Sequence, residues 1–376
     1  MDGVGVCVEN YSRELCVAGH GALVFAPATP GFEDDEPFPV VRFPSLPLPG
    51  LRPYRIGWPS LGRDAITRAR NTPFTLVHSH SPFVAGRFAM RTAARKGIPH
   101  ISTFHTKYRD DVVKLLKSTA AADAVVRSIV RFYDRCDAVW TPSESTARTL
   151  REYGFTGDVT IAPNGSDLTR PTDGERDALR KAGRERRGIS EDSFVCLFVG
   201  QHRWEKNTAL IIEGLAALKR SAEGADFVVL FAGEGVDRSG MEAMARRSGL
   251  GERARFLGKI VDRDAMSELY AASDLFLFPS VYDNAPLVMR EAAGFSLPTV
   301  VASGSAAAEI IDDRVNGFVV DNDARRFAEL IGALMADRDA IRTAGSAAAQ
   351  SVYRGWTDIV RWAATEYERV FSRFTV

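Results

Sequence analysis

The chain has 376 residues with 48 basic and 48 acidic side chains, so its formal net charge is zero. This balance provides no basic field that would favour nucleic acid, and we expect no nucleic-acid partner. The composition, 45% hydrophobic and 26% charged, is that of an ordinary globular protein long enough for two domains. No apolar run reaches the roughly 18 residues of a membrane-spanning helix and no signal peptide opens the chain, so we expect a cytoplasmic protein.

The first half of the chain alternates strand-like and helix-like segments after a glycine-containing opening at residues 2–6. Strand candidates begin at Ala22, Val40, Phe74, His100, Asp137 and Val159. A Pro-rich stretch at residues 27–59 interrupts the alternation and predicts a long surface loop. We place a linker at residues 164–172 and end the first domain at residue 168.

The four cysteines form no Cys-x-x-Cys pair and show no metal-ligand spacing; they are Cys7, Cys16, Cys136 and Cys196. Cys7 and Cys136 lie in helix-like stretches, and Cys196 lies in a strand-like run. This distribution is typical of buried thiols in a reducing compartment.

The second half, residues 169–355, alternates strands and helices more regularly. Strand candidates begin at Phe194, Phe227, Arg253, Leu275 and Pro298, and residues 318–320 predict an edge strand. Continuous apolar strands separated by helices predict a parallel sheet covered on both faces, with ligands at the carboxyl ends of the strands. Apolar residues at helical spacing predict a closing helix over 356–371.

Residues 278–302 carry the most informative pattern, a strand followed by a polar loop, a helix and a second strand. Asp283 and Glu291 lie eight residues apart, before and within a helix predicted from about Pro286 to Ala293. Proline suits a first helical position, and the free N–H groups of a helix N-terminus bind anions. A carboxylate near this helix N-terminus is suited to accept hydrogen bonds from sugar hydroxyls. An ordinary βαβ unit with a solvated glutamate is the alternative for this segment taken alone.

The segment resembles the acidic motif of the retaining family 4 glycosyltransferases, usually Glu-x7-Glu followed by a Gly-x-Pro turn. In this chain Asp283 is the first acid and Ser296 replaces the glycine. The resemblance implies that Glu291 binds the ribose hydroxyls of a nucleotide-sugar donor and that Asp283 binds a hydroxyl of the transferred sugar. It also implies that backbone amides line the sugar and diphosphate, namely those of Asn284, Ala285, Leu287 and Val288.

A second motif follows the strand that ends at Val199 and resembles the family pattern Gly-Arg-x3-Glu-Lys-Gly. Lys206 aligns with the donor-binding lysine, and its charge would stabilise the diphosphate as the sugar leaves. Gln201 replaces the family arginine. Arg203 is a candidate to supply the missing charge, with an ordinary solvent-facing arginine as the alternative.

Downstream, residues 256–260 resemble the family's Phe-x-Gly strand and loop, where backbone groups bind the base. Lys259 and Ile260 are therefore candidates for contact with the base.

The first domain resembles the family at its opening and at two strand ends. Gly3 corresponds to a glycine of the Gly-Gly-Val loop that lies over the donor phosphates and the acceptor. His105 corresponds to the active-site histidine that contacts the donor sugar, and we place His80, Ser81 and Tyr108 on the acceptor side. A metal site formed by His78, His80 and His105 was the alternative, but no carboxylate completes it. We expect no metal and no cofactor apart from the nucleotide-sugar co-substrate.

The resemblance covers nearly the whole chain and implies the GT-B architecture: two Rossmann-like α/β domains facing across a cleft. It also implies that the closing segment, 356–376, packs back on the domain formed by residues 1–168. In this fold a central strand precedes the Gly-Gly-Val loop. We therefore expect a gap in the first sheet, which an upstream strand would fill in the natural protein.

The function implied is a retaining, metal-independent hexosyltransferase that uses UDP-sugar, or next GDP-mannose, and a lipid or glycan acceptor. A basic, amphipathic stretch at residues 107–131 predicts peripheral contact with the membrane, with a core-packed helix as the alternative. Two other functions remain open. A nucleotide-sugar epimerase would interconvert sugars without an acceptor, and a degenerate nucleotide-sugar-binding protein would bind the donor without turnover.

Overall fold

A computed structural model describes residues 3–48, 55–109, 112–113, 117–221 and 226–375. The chain forms two compact units. Unit 1 comprises residues 1–164 with 356–376, and unit 2 comprises residues 165–355. The division falls close to the predicted boundary at residue 168, and the closing helix belongs to unit 1.

Unit 1 contains short strands and helices that are mostly amphipathic. Its strands are β1 (Val24–Pro27), β2 (Val40–Phe43), β3 (Ser45–Pro47), β4 (Arg55–Gly57), β5 (Val77–Ser79), β6 (His100–Thr103), β7 (Ala138–Thr141) and β8 (Thr160–Ile161). Its helices are α1 (Gly3–Val17), α2 (Arg63–Asn71), α3 (Val84–Lys96), α4 (Thr119–Tyr133), α5 (Glu144–Glu152) and the closing helix (Trp356–Phe374).

The strands of unit 1 form separate pieces of sheet. Strands β5, β6, β7 and β8 are parallel neighbours in that order, and β1 pairs with β2 in a separate sheet. Over the described part of the chain, no strand pairs with the open edge of β5 or connects it to β1. Among these residues, the first sheet therefore has the gap that the sequence predicts.

The antiparallel hairpin of β3 and β4 lies within the Pro-rich stretch, where Leu46 pairs with Ile56. The prediction of a long surface loop was therefore wrong at Ser45–Pro47 and Arg55–Gly57. Proline is tolerated at the edge of a two-stranded ribbon, since each strand keeps one side free of ladder hydrogen bonds.

Helix α1 begins at Gly3, so the prediction that Gly3 and Gly5 lie in a loop was wrong for the described residues. Cys7 and Tyr11 are buried and lie four residues apart on one face of the helix. Tyr11 packs on Trp356 of the closing helix with ring centroids 5.4 Å apart. This packing stabilises a helix whose glycines lower its intrinsic helix propensity.

Helix α4 covers part of the stretch predicted to contact a membrane. Its Val126 and Ile129 are buried, and Ile129 packs among the aromatic residues of unit 1, so these side chains belong to the core. Residues 110–111 and 114–116 of the same stretch lie outside the described residues. Over the described residues, no helix has the length and apolar character needed to cross a membrane.

Unit 2 is built around one parallel sheet with a large apolar core. Its strands are β9 (Phe194–Val199), β10 (Phe227–Ala232), β11 (Ala254–Gly258), β12 (Leu275–Phe278), β13 (Thr299–Ala302) and β14 (Gly317–Val320). Its helices are α6 (Asp173–Arg186), α7 (Thr208–Ser221), α8 (Arg238–Arg247), α9 (Arg263–Ala272), α10 (Leu287–Gly294), α11 (Ala324–Ala336) and α12 (Arg338–Ser351).

The sheet of unit 2 has the order β11-β10-β9-β12-β13-β14, and all its ladders are parallel. Strands β10 and β11 lie in sequence on one side of β9, and strands β12, β13 and β14 lie in sequence on the other. This order is that of a doubly wound Rossmann fold, and the predicted fold class of two Rossmann-like α/β units is confirmed.

Candidate functional site

The topology of unit 2 marks one place on the sheet for a ligand. Strands β9 and β12 are neighbours, but the chain continues from them in opposite directions. From β9 it runs to β10, towards one edge of the sheet, and from β12 it runs to β13, towards the other edge. A crevice therefore opens at their carboxyl ends, the usual place for nucleotides in this type of fold. Residues 200–207 leave β9 there, and residues 279–286 leave β12 beside them.

Lys206 and Asp283 meet at this crevice. The Nζ atom of Lys206 lies 2.5 Å from Oδ1 of Asp283, and both side chains are largely buried, with 15% and 20% exposed. The Oδ2 atom of Asp283 is buried and accepts no hydrogen bond within the described part of the protein. Asp283 therefore has an acceptor available for a ligand hydroxyl, and Lys206 has a positive charge held next to it.

Asn207 shapes the turn that carries Lys206. Its backbone has φ of 57°, the left-handed region in which glycine and asparagine are favoured. Its side-chain Nδ2 donates to the carbonyl oxygen of Pro279 at 3.1 Å and to Oδ1 of Asn322 at 2.8 Å. Asn207 stands at the last glycine of the pattern Gly-Arg-x3-Glu-Lys-Gly, adopts a conformation that glycine favours, and ties the loop after β9 to the loop after β12.

Ser296, which also replaces a family glycine, has φ of 56°. The two departures from glycine therefore both occur at positions with a left-handed backbone.

Gln201 and Arg203 are exposed in the loop that precedes Lys206. The Nε atom of Arg203 lies 4.0 Å from Oε2 of Glu205, an exposed ion pair. The assignment of Arg203 as a replacement for the family arginine stays a prediction.

Glu291 lies on α10 and is buried, with 8% of its surface exposed. The Tyr270 hydroxyl donates to its Oε2 atom at 2.6 Å, and Nη2 of Arg263 lies 3.6 Å from its Oε1 atom. Arg263 also forms an ion pair with Asp167. Burial raises the pKa of Glu291, while the Tyr270 hydrogen bond and the Arg263 charge oppose this rise. These contacts exclude the alternative of a solvated glutamate.

Tyr270 and Arg263 were missed from the sequence. Both belong to α9, which precedes β12, whereas Glu291 lies on α10, which follows β12. No local spacing between them and Glu291 signals the contact. A buried tyrosine needs a hydrogen-bond partner, which is the one general hint that the sequence offers.

Helix α10 begins at Leu287, one residue later than predicted. Pro286 has ψ of 123°, an extended conformation, and precedes the helix instead of occupying its first turn. The N-cap residue Pro286 makes no side-chain hydrogen bond to this N-terminus, and the amides of Leu287 and Val288 belong to the first turn, where backbone N–H groups lack helical partners. Asn284 and Ala285 lie in the loop between Asp283 and this helix.

Lys259 and Ile260 directly follow the carboxyl end of β11. Lys259 is exposed, and Ile260 is half-buried against the core of unit 2. Gly258, just before them, has φ of 76°, which a residue with a side chain rarely adopts. Their contact with a base stays a prediction.

In unit 1 the histidines collect at the ends of β5 and β6. His78 uses both ring nitrogens, Nδ1 with the Tyr367 hydroxyl and Nε2 with Oγ1 of Thr103, each at 2.7 Å. The Nδ1 atom of His80 lies 2.9 Å from Nε2 of His105, and the two rings are stacked.

Burial keeps these imidazoles neutral. It lowers the pKa of His78 to about 3 and that of His105 to about 4, and it lowers the pKa of His80 well below its usual value. At neutral pH each ring therefore has one N–H donor and one nitrogen acceptor.

Ser81 and Tyr108, the other residues predicted on the acceptor side, lie around the start of α3. The Ser81 hydroxyl accepts from the Phe83 amide at 3.4 Å. The Tyr108 ring packs edge-on against Phe83 and Phe104, with centroids 5.1 and 5.7 Å away. Their role towards an acceptor stays a prediction.

Two family models match the chain. Residues 1–170 match the family model described as Glycosyltransferase Family 4, and residues 180–351 match that of Glycosyl transferases group 1. The chain is 22% identical over 344 residues to alpha-monoglucosyldiacylglycerol synthase of Streptococcus pneumoniae, covering 90% of this chain and 76% of that protein. It is 28% identical over 405 residues to D-inositol 3-phosphate glycosyltransferase of Xylanimonas cellulosilytica, covering 99% and 92%.

Among solved structures, Anabaena HepE in complex with UDP and glucose superposes with a TM-score of 0.74 at 19% identity. The match covers 98% of this chain and 96% of that protein. At this identity the likeness concerns the fold. The two family models together match most of the chain, each over one of its halves, and the chain belongs to the group 1, family 4 glycosyltransferases.

Proposed function

We propose that this glycosyltransferase moves a hexose from a nucleotide-diphosphate sugar to a lipid or glycan hydroxyl, with retention of configuration and without a metal ion. UDP-sugar is the preferred donor and GDP-mannose is the second candidate. No cofactor takes part apart from this co-substrate.

The observation that carries the proposal is the Lys206–Asp283 pair at the crevice between β9 and β12. A lysine charge suits a diphosphate, and the second oxygen of Asp283 is free to accept a sugar hydroxyl. Glu291 offers a buried carboxylate to vicinal ribose hydroxyls, held in place by Tyr270. Lys206 thus suits the diphosphate of a nucleotide sugar, Asp283 suits its sugar, and Glu291 suits its ribose.

In the proposed reaction the bond between the anomeric carbon and the diphosphate oxygen breaks, and a bond to the acceptor oxygen forms on the same face of the sugar. The acceptor proton passes to an oxygen of the leaving diphosphate. Lys206 and the amides at the start of α10 stabilise the negative charge that develops there. Among the residues that the structure describes, none is identified as a nucleophile for a two-step route, so a front-face displacement is preferred.

His105 is proposed to contact the donor sugar through a neutral ring nitrogen. Its low pKa supports this role, because an uncharged imidazole neither repels an oxocarbenium-like sugar nor requires a counter-ion.

The names of the relatives support the choice of acceptor. One relative is a synthase of glucosyldiacylglycerol, and another acts on D-inositol 3-phosphate. Their acceptors differ, so a panel is needed in place of a single substrate. The panel should include diacylglycerol in vesicles, inositol phosphates and oligosaccharides.

The test combines this panel with radiolabelled UDP-glucose and GDP-mannose and measures both free nucleotide and labelled product. We expect nucleotide release that depends on an acceptor and a product whose anomeric configuration matches the donor. Donor binding without product from any acceptor would favour a degenerate binding protein. Sugar interconversion without an acceptor would favour an epimerase, and an inverted product would contradict retention.

A further inference from the structure

Three potential metal ligands meet in unit 1: the thiol of Cys7 and the imidazoles of His80 and His105. One donor atom from each side chain lies within 4.8 Å of the other two. Cys7 is buried, and the two histidines are half-buried. The cluster therefore combines three good ligands for a transition metal with partial access from solvent.

The fold brings these residues together from distant parts of the chain. Cys7 lies on the buried face of α1, whereas His80 and His105 follow the carboxyl ends of the neighbouring strands β5 and β6. His78 is excluded as a ligand because both its ring nitrogens already have protein partners. The third ligand is thus Cys7, and not His78 of the rejected three-histidine alternative.

We propose that Cys7, His80 and His105 form a binding site for zinc or a similar divalent transition-metal ion, and that the bound ion inhibits sugar transfer. Thiolate and imidazole are preferred ligands of these ions. Tetrahedral zinc bonds of usual length place neighbouring ligand atoms about 3.3–3.6 Å apart. The His80 and His105 nitrogens are 2.9 Å apart, so a small separation of the rings would admit the ion.

Metal binding requires all three ligand atoms to be free of protons. The Cys7 thiol gives its proton to solvent, because the thiolate is the form that binds a metal. The proton between the His80 and His105 rings moves to another ring nitrogen, so that both facing nitrogens can bind the ion.

Inhibition follows because the metal would occupy the His105 nitrogen. This part rests on the proposed role of His105 towards the donor sugar. Metal binding itself does not depend on that role, so the two claims have separate measurements.

The test uses cobalt as a spectroscopic probe of the full-length protein. We expect Co²⁺ to produce a thiolate-to-metal charge-transfer band, and Zn²⁺ to displace it. Cys7→Ser should remove the band and weaken binding at least about tenfold, since even loss of an outer partner of a metal ligand costs that much. Cys16→Ser is the matched control: Cys16 lies on the same helix, outside the cluster, and its replacement should change nothing.

Zinc should also lower sugar transfer by wild-type protein and Cys16→Ser, but not by Cys7→Ser at the same concentration. Absence of the charge-transfer band in wild-type protein overturns the proposal whether or not Cys7→Ser folds. A band that survives in a folded Cys7→Ser protein, or disappears in Cys16→Ser, also overturns it. Metal binding without inhibition would leave the site in place but remove its regulatory role, which is the outcome expected if the role of His105 is misassigned.

Discussion

Replacing Lys206 by methionine tests the charge at the centre of the donor site. The substitution keeps most of the side-chain volume and removes the cation that pairs with Asp283 at 2.5 Å. A unit charge about 4 Å from a diphosphate oxygen contributes about 4 kcal/mol at an effective dielectric constant near 20, which suits these partly buried side chains. Loss of a donor to a developing oxyanion typically lowers kcat by about 10²–10³-fold. We expect a loss in this range.

The same substitution leaves the Asp283 carboxylate without its cation and close to the diphosphate. Part of the lost activity therefore comes from repulsion, and removing the Asp283 charge in Lys206→Met/Asp283→Asn should restore some of it. We expect a coupling energy of about 1–3 kcal/mol in the double-mutant cycle, measured from kcat/KM for the donor. Lys181→Met is the matched control, because this lysine is exposed and its ion pair with Glu185 spans 3.9 Å.

Two outcomes would refute the reasoning. Wild-type turnover by Lys206→Met would show that the charge does not act on the leaving group. Additive effects of the two substitutions, within about 0.5 kcal/mol, would show that the ion pair and the diphosphate are not coupled.

Three further predictions concern neighbouring residues. Tyr270→Phe should move the acid limb of the pH profile of kcat/KM to higher pH, because the lost hydrogen bond had opposed the rise in the Glu291 pKa; an unchanged limb contradicts this. His105→Ala should lower turnover about 10²-fold while free UDP still binds, as titration calorimetry would show, and lost UDP binding would contradict its assigned role. Asn207→Gly should be more stable than Asn207→Ala by about 1 kcal/mol in urea unfolding, since both lose the side-chain bonds but only alanine strains the left-handed backbone; equal stability would refute this.

The fold of unit 2 could be predicted because each strand is a continuous apolar run that is buried in a parallel sheet. Val195 and Leu277, for example, are fully buried in β9 and β12. The helix at Gly3 could not be predicted from local glycine content, because contacts with the closing helix stabilise it. The hairpin of β3 and β4 was hidden by prolines that an edge strand tolerates.

The candidate site likewise contains contacts that could be predicted from the sequence and contacts that could not. Lys206 and Asp283 follow strands whose order in the sheet can be inferred, so their approach at one crevice was predictable. The contact of Tyr270 with Glu291 and the approach of Cys7 to the histidines depend on how helices pack on the sheet. The sequence pattern specifies which face of a helix is apolar, but not which individual side chains meet.

The most direct test of the central claim, a donor site in unit 2, is calorimetric titration of UDP and GDP into Glu291→Gln. A hydrogen bond to a charged acceptor contributes about 1.5–3 kcal/mol, so the variant should bind the preferred nucleotide at least about tenfold more weakly than wild-type protein. Glu213→Gln, an exposed position on α7, should bind like wild-type protein. Equal affinity of Glu291→Gln and wild-type protein for both nucleotides would contradict the assignment of this carboxylate to the ribose, and with it the donor site.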